Sequence, residues 1–107
     1  MKQITCFTDE YDTQEIKNAK VNVTFIDTFD ELIKTDADIY IVSLRKASSI
    51  YNEFVSFMRK NPTCKFLFLE EYHQVMTNED FTIRDEPNTD IYMYTPDKAM
   101  FLAGLID

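Results

Sequence analysis

The stretch "ADIYIVSL", residues 37–44, is a nearly continuous apolar run that is rich in β-branched and aromatic side chains. Such a run is typical of a strand buried on both faces, as in the middle of a parallel sheet. Ser43 is its next-to-last residue, and the two cations Arg45 and Lys46 follow Leu44 at once. The stretch therefore predicts a central strand with helices packed on both sides.

Segments with strand and helix patterns alternate on either side of this run. Alternation of this kind predicts βαβ units with right-handed crossovers, and hence an α/β fold. We predict a doubly wound, five-stranded parallel sheet in the order 2-1-3-4-5, with helices on both faces. The predicted strands are 2–7, 21–26, 37–44, 64–70 and 90–94.

Capping signals place the predicted helices between these strands. Asp12 with Glu15 predicts a first helix over roughly 13–19, and Thr28 with Glu31 predicts the start of the second. Ser48 or Ser49 is expected to cap a third helix at about 49–60, and a last helix begins at Pro96-Asp97. Residues 71–89 lack firm periodicity, so a short helix near 73–80 and a loop with a β-turn both stay open.

The composition of the chain argues against several classes of function. A chain of 107 residues predicts one domain, over 1–107, and its single glycine argues against Gly-rich phosphate loops and dinucleotide fingerprints. The net charge of −8 opposes nucleic-acid binding, because the cations Arg45-Lys46 and Arg59-Lys60 are only pairs.

Compartment and cysteine chemistry are predicted from what the sequence lacks. No apolar run approaches 18 residues, so no membrane insertion is expected, and no signal peptide is recognisable. Cys6 and Cys64 are expected to be reduced, buried thiols in a cytoplasmic protein, and with one histidine they make no zinc pattern.

Polar residues stand where the predicted strands end, which is the edge at which doubly wound sheets bind ligands. The first strand is followed by "TDE" (8–10), the third ends as "ADIYIVS" (37–43), the fourth ends at Glu70, and the fifth is followed by Thr95-Pro96 in "YTP" (94–96). Over nearly its whole length the chain resembles the receiver domain of response regulators, which has the flavodoxin/CheY-like fold. The resemblance implies a Mg²⁺-binding acidic cluster at Asp9 and Glu10 and a phosphoacceptor position at Ser43.

The residues that run the receiver's phosphorylation switch are replaced. Ser43 stands where the family has an aspartate, and an acyl phosphate needs a carboxylate. Glu70 stands in place of a hydroxyl residue, and Thr95 stands in place of a lysine, so only Pro96 of the usual Lys-Pro pair is kept. We therefore expect a pseudo-receiver with no catalysis and no cofactor, in which Asp9 and Glu10 could still bind Mg²⁺ weakly.

The resemblance also implies a function. Receivers bind targets or form homodimers through the face made by their fourth helix, fifth strand and last helix, here about 90–106, with Tyr92, Tyr94 and Phe101 as expected anchors. The expected role is a phosphorylation-independent regulatory and protein-interaction domain. Degenerate receivers of this kind occur at the amino end of larger proteins, including MinD/ParA-type ATPases of pilus assembly or conjugation, and the chain could be such a domain or a whole protein.

Two other functions stay open. One is Mg²⁺-dependent phosphoryl transfer by the strand-end carboxylates Asp9, Glu10 and Glu70. The other is an acidic inhibitor, for example a phage product that occupies a basic site on a host protein. The final letters "LAGLID" (102–107) match part of a homing-endonuclease signature, but the charge and length oppose that enzyme. We interpret them as the end of the last helix, with Ala103-Gly104 allowing close packing.

Overall fold

The computed structural model describes residues 2–69, 77–87 and 89–107, and of residues 81, 84 and 90–94 it describes the backbone alone. Four parallel strands lie side by side in the order β2-β1-β3-β4. They are β1 (Ile4–Phe7), β2 (Thr24–Ile26), β3 (Ile39–Ser43) and β4 (Lys65–Leu69). The predicted α/β class with a parallel sheet is confirmed. The backbone of β5 (Thr89–Tyr94) pairs with β4 in parallel, with an irregular register between Phe68 and Leu69.

Helices follow the strands along the chain. They are α1 (Glu10–Asn18), α2 (Phe29–Leu32), α3 (Leu44–Ser48), α4 (Tyr51–Lys60), α5 (Asn78–Arg84) and α6 (Pro96–Leu102).

Strand β3 shows why both faces of the sheet must be covered. Its side chains alternate, so Tyr40 and Val42 enter one core while Ile39 and Ile41 enter the other. The first core is largely aromatic and lies under α2, α3, α4 and α5. The second is aliphatic and lies under α1 and α6, which contribute Ile16 and Met100, among others. The expectation from "ADIYIVSL" that helices pack on both sides is confirmed.

The first helix begins earlier than its sequence signal predicts. The predicted cap, Asp12, is wrong: Asp9 is the N-cap, and its Oδ1 accepts a hydrogen bond of 2.8 Å from the Asp12 N–H. The chain turns directly from β1 into α1. Asp9 therefore lies next to the unpaired amides at the start of the helix, and Asp12 already lies within its first turn. The Thr28–Glu31 capping box is confirmed, since Thr28 Oγ1 accepts from the Glu31 N–H and Glu31 Oε1 accepts from the Thr28 N–H, both at 3.2 Å.

The predicted third helix, at about 49–60, is confirmed as α4, and a short helix that was not predicted, α3, precedes it. α3 starts directly after β3, and Ile50, with φ −125° and ψ 46°, separates it from α4. Neither predicted serine caps α4. Ser48 Oγ donates to the buried carboxylate of Asp80, and Ser49 Oγ donates to the Lys46 carbonyl at 2.7 Å. These side chains serve tertiary contacts and a turn, which local sequence does not distinguish from a cap.

The segment without periodicity contains α5. Residues 70–76 and 88 lie outside the described part of the chain, and with them the first half of the helix proposed near 73–80. The helix that the structure describes in this segment is α5, at Asn78–Arg84. Thr77 and Asp80 form a reciprocal cap, in which Thr77 Oγ1 accepts from the Asp80 N–H at 3.2 Å and Asp80 Oδ2 accepts from the Thr77 N–H at 2.8 Å. The Thr-x-x-Asp spacing was the available signal for this helix.

The end of "LAGLID" is a helix stop. Gly104 has φ +76°, its N–H donates to the Phe101 carbonyl at 3.0 Å, and the Leu105 N–H donates to the Met100 carbonyl at 2.9 Å. This is the Schellman arrangement, which favours glycine. The expectation that Gly104 allows close packing is wrong, because a Cβ built there meets nothing within 4 Å.

Replacing Gly104 by alanine is expected to lower the free energy of unfolding by about 1 kcal/mol, because an L side chain is strained at this φ. The measurement is urea unfolding followed by circular dichroism. Lys20 gives the matched reverse test, since it has φ +56° just after α1, where Lys20→Gly should stabilise by about 0.5–1 kcal/mol. If Gly104→Ala left stability unchanged, backbone conformation would not explain this glycine.

Candidate functional site

The candidate site lies where β1 and β3 end at the same edge of the sheet. The two strands are paired, with Phe7 opposite Val42, so Thr8 and Asp9 come next to Ser43. The chain passes to β2 on one side of β1 and to β3 on the other. Such a switch in strand order opens a crevice beyond the carboxyl ends of the strands.

Ser43 joins the two strand ends through its side chain, which is 2% exposed. Its Oγ accepts from the Asp9 N–H at 2.9 Å and donates to Asp12 Oδ2 at 2.6 Å. The Asp12 N–H in turn donates to Asp9 Oδ1. We call this closed set of hydrogen bonds, made by Asp9, Asp12 and Ser43, the Ser43 bridge. It fixes the first turn of α1 to the end of β3.

The Ser43 bridge is chemically a structural link. The serine hydroxyl uses its proton on a carboxylate and its lone pair on a backbone amide, and it is buried from solvent. A hydroxyl held this way satisfies two polar groups that burial would otherwise leave unpaired. Serine fits this position because it can accept and donate at once.

A half-buried cation, Lys46, lies beside the bridge. The side chain of Lys46 is 19% exposed, and its Nζ donates to Asp27 Oδ1 at 3.0 Å and to the Thr8 carbonyl at 3.3 Å. The same ammonium lies 4.6 Å from the centre of the Phe7 ring. Sequence reasoning missed Lys46 because it counted the residue only as one of a pair. The signal that could have identified Lys46 as a site residue was its position in the first helical turn after β3.

The other predicted site residues that the structure describes take no part in the hydrogen bonds of the bridge. Glu10 is exposed at the start of α1. Thr95 caps α6, where its Oγ1 accepts from the Lys98 N–H at 3.3 Å, and Pro96 is the first residue of that helix. Glu70 lies outside the described residues. Among the hydrogen bonds within the described part of the chain, none joins Glu10 or Thr95 to Ser43.

The predicted weak Mg²⁺ site rests on Asp9 and Glu10. The Asp9 carboxylate is engaged as the cap of α1. In residues 2–69, 77–87 and 89–107, no three carboxylate, histidine or cysteine side chains come together as a metal site would require. Magnesium bound here would keep most of its water ligands and contact the protein through one or two carboxylates.

Of the predicted interaction residues, the structure describes the side chain of Phe101. It is 57% exposed on α6, next to Leu102 at 39%. The side chains of Tyr92 and Tyr94 lie outside the described set. Phe101 and Leu102 are consecutive residues of α6, and both expose apolar side-chain surface to solvent.

The two cysteines are free thiols. Cys6 is fully buried in β1, and burial raises its pKa to about 12. Cys64 is half-buried, and its Sγ donates to the Ala37 carbonyl at 3.1 Å. Burial raises the pKa of Cys64, and the nearby carboxylates of Asp36 and Asp38 add to the effect. Neither thiol is therefore poised as a nucleophile at neutral pH.

An open cleft of about 660 Å³ lies beside the Ser43 bridge, between α1, the end of β2 and α3. We call it the switch-point cleft. It is lined by Thr8, Asp9, Glu10, Thr13, Gln14, Lys17, Asp27, Arg45, Lys46 and Ser49.

The chain matches no protein-family model, no curated protein and no solved structure. No helix within the described residues is long and apolar enough to cross a bilayer.

Proposed function

We propose that the chain is a pseudo-receiver: a non-enzymatic, phosphorylation-independent regulatory domain that binds another protein or a second copy of itself. We propose with it that the sheet is the five-stranded flavodoxin/CheY-like sheet, in the order 2-1-3-4-5. The parallel pairing of β5 with the β4 edge supports that order.

The Ser43 bridge is the observation that carries this proposal. At the position where a receiver has its phosphoacceptor, this chain has a buried hydroxyl bonded to both ends of the acidic turn. A phosphoryl group would have to displace the Asp12 carboxylate, which lies 2.6 Å from the Ser43 oxygen. The same geometry gives the strand end a fixed conformation without phosphorylation.

The proposed contact surface is the face formed by α5, β5 and α6, which corresponds to the surface that receivers use. Exposed Phe101 and Leu102 on α6 support it. The net charge of −8 favours a partner that presents basic groups around an apolar centre. The regulatory domain of a larger protein, such as a MinD/ParA-type ATPase, fits this role.

The test is an amide NMR titration with Mg²⁺ and then beryllofluoride, which mimics a phosphoryl group. We expect the resonances of Asp9, Ser43 and Thr95 to stay in place at millimolar Mg²⁺, because the bridge occupies the acidic turn. A phosphorylatable receiver domain, titrated in parallel, provides the positive control. A saturable shift at Asp9 and Glu10 would contradict the proposal and favour metal-dependent phosphoryl transfer.

The contact surface has a separate test, in which exposed apolar residues on two helices are compared. We expect Phe101→Ser to weaken self-association or partner binding about tenfold or more, as loss of an exposed aromatic anchor does. Tyr11→Ser is the matched control, since Tyr11 is 69% exposed on α1. The measurement is sedimentation velocity across a concentration series. Equal effects of both variants would argue against the α6 face.

A further inference from the structure

The switch-point cleft has the size and position of a small-molecule site. Its volume of about 660 Å³ is within the range of roughly 300–1,000 Å³ that ligand pockets occupy. It lies at the point where strand order switches between β1 and β3, where doubly wound sheets bind ligands. Asp9 of the Ser43 bridge and Lys46 are both among its lining residues.

The charge in the cleft differs from that of the whole chain. Its lining carries three cations, Lys17, Arg45 and Lys46, against three carboxylates, whereas the chain has a net charge of −8. At physiological salt the screening length is about 8 Å, so charges inside the cleft dominate over distant surface carboxylates. The lining is therefore balanced in charge, and an anionic group meets less repulsion there than over the acidic surface of the chain. Of the three cations, Lys17 belongs to α1, while Arg45 and Lys46 belong to α3.

Two of the three cations of the cleft, Lys46 and Lys17, have contacts that position them before any ligand arrives. Lys46 is fixed by Asp27, the Thr8 carbonyl and the Phe7 ring. Lys17 lies 5.3 Å from the centre of the Phe25 ring. Cations that are already ordered lose less conformational entropy on binding, which favours affinity.

The remaining lining groups are suited to hydroxyls. The Asp27 side chain, which is 91% exposed, and Glu10 present carboxylates, while Gln14 and Ser49 present amide and hydroxyl groups. None of the described lining residues is aromatic or aliphatic. A nucleotide base would need such a platform to stack on, so the lining favours a ligand without a base.

We propose that the switch-point cleft binds a sugar phosphate or a closely similar phosphorylated polyol. The phosphate lies between Arg45 and Lys17, where a guanidinium can hold two phosphate oxygens at once. The sugar hydroxyls donate to Asp27 and Glu10. This site is independent of the protein-binding face on α6 and gives the domain a small-molecule input in place of phosphorylation.

The test is an amide NMR titration of the intact chain with ribose 5-phosphate. We expect saturable shifts at Thr8, Asp27, Arg45 and Ser49 at millimolar ligand, with ribose, inorganic phosphate and adenosine monophosphate each binding at least about tenfold more weakly. Absence of saturable shifts would overturn the proposal. Equal or tighter binding of inorganic phosphate or of the nucleotide would overturn the assigned ligand class.

Charge-neutralising variants locate the site. We expect Arg45→Gln and Lys17→Gln each to weaken ribose 5-phosphate binding by about tenfold. Lys60→Gln removes the same charge from an exposed position on α4 and is the matched control. If Lys60→Gln weakened binding as much as the two cleft variants, the effect would come from net charge, and the assignment of the ligand to the switch-point cleft would be wrong. These variants leave the Ser43 bridge and Phe101 intact, so failure here is separable from failure of the pseudo-receiver proposal.

Discussion

Replacing Phe54 by alanine is expected to lower the free energy of unfolding by about 3–5 kcal/mol. The Phe54 ring is fully buried on α4, and its centre lies about 6 Å from those of four other rings: Phe7 (6.0 Å), Phe57 (6.2 Å), Phe66 (5.9 Å) and Phe68 (6.0 Å). Truncation removes burial from α4, β1 and β4 together and leaves a cavity that rigid strands cannot close.

The measurement for Phe54 is equilibrium unfolding in urea. The free energy of unfolding of a domain of this size is roughly 5–15 kcal/mol, so the variant should be only marginally stable. Phe101→Ala makes the same chemical change at a side chain that is 57% exposed, and we expect a loss within about 0.5 kcal/mol. Similar losses for the two variants would mean that the aromatic core does not hold α4 on the sheet.

Replacing Ser43 by aspartate is expected to destabilise the fold by about 3 kcal/mol and to restore no phosphorylation. Ser43 is 2% exposed and its oxygen lies 2.6 Å from Asp12 Oδ2, so an added carboxylate would be buried against a like charge. Under the proposed pseudo-receiver role, Thr95 stands where a receiver would have its lysine, so the cation that phosphorylation needs would still be absent from that position. Urea unfolding measures the loss of stability, and intact mass after incubation with acetyl phosphate and Mg²⁺ tests the chemistry.

Two further substitutions separate charge from hydrogen bonding at this position. Ser43→Asn has nearly the shape of aspartate without its charge, and it should lose less stability than Ser43→Asp. Ser43→Ala removes both hydrogen bonds of the Ser43 bridge and should lower stability by about 1–3 kcal/mol. A gain of phosphate mass in Ser43→Asp would refute the account of the lost switch. A stable Ser43→Asp protein would show that Asp12 can move away.

The sequence predicted most of what depends on short-range patterns. The apolar run at 37–44 predicted a strand covered on both faces, because a buried parallel strand needs apolar side chains at successive positions. Thr28 and Glu31 predicted a helix start because both partners of that cap lie within one turn. The cap of α1 and the break at Ile50 were not predicted, because several acidic or hydroxyl residues stand close enough together to compete for each role.

The candidate site was predicted in part. Asp9 and Ser43 were singled out because parallel strands end at one edge of a sheet, and the Ser43 bridge joins them. Lys46 was missed, and Asp12 was assigned to the wrong contact. The partners of these residues come from other elements: Ser43 bonds Asp12 across 31 positions, and Lys46 bonds Asp27 across 19.

The sequence by itself thus determined the α/β class and the covered central strand, because composition and local periodicity decide these. Only the tertiary structure decided what Ser43 does, that Gly104 ends a helix, and that α1, β2 and α3 enclose a cleft. The pairing of β1 with β3 is responsible for much of this, because it brings together polar groups that local sequence cannot match to one another.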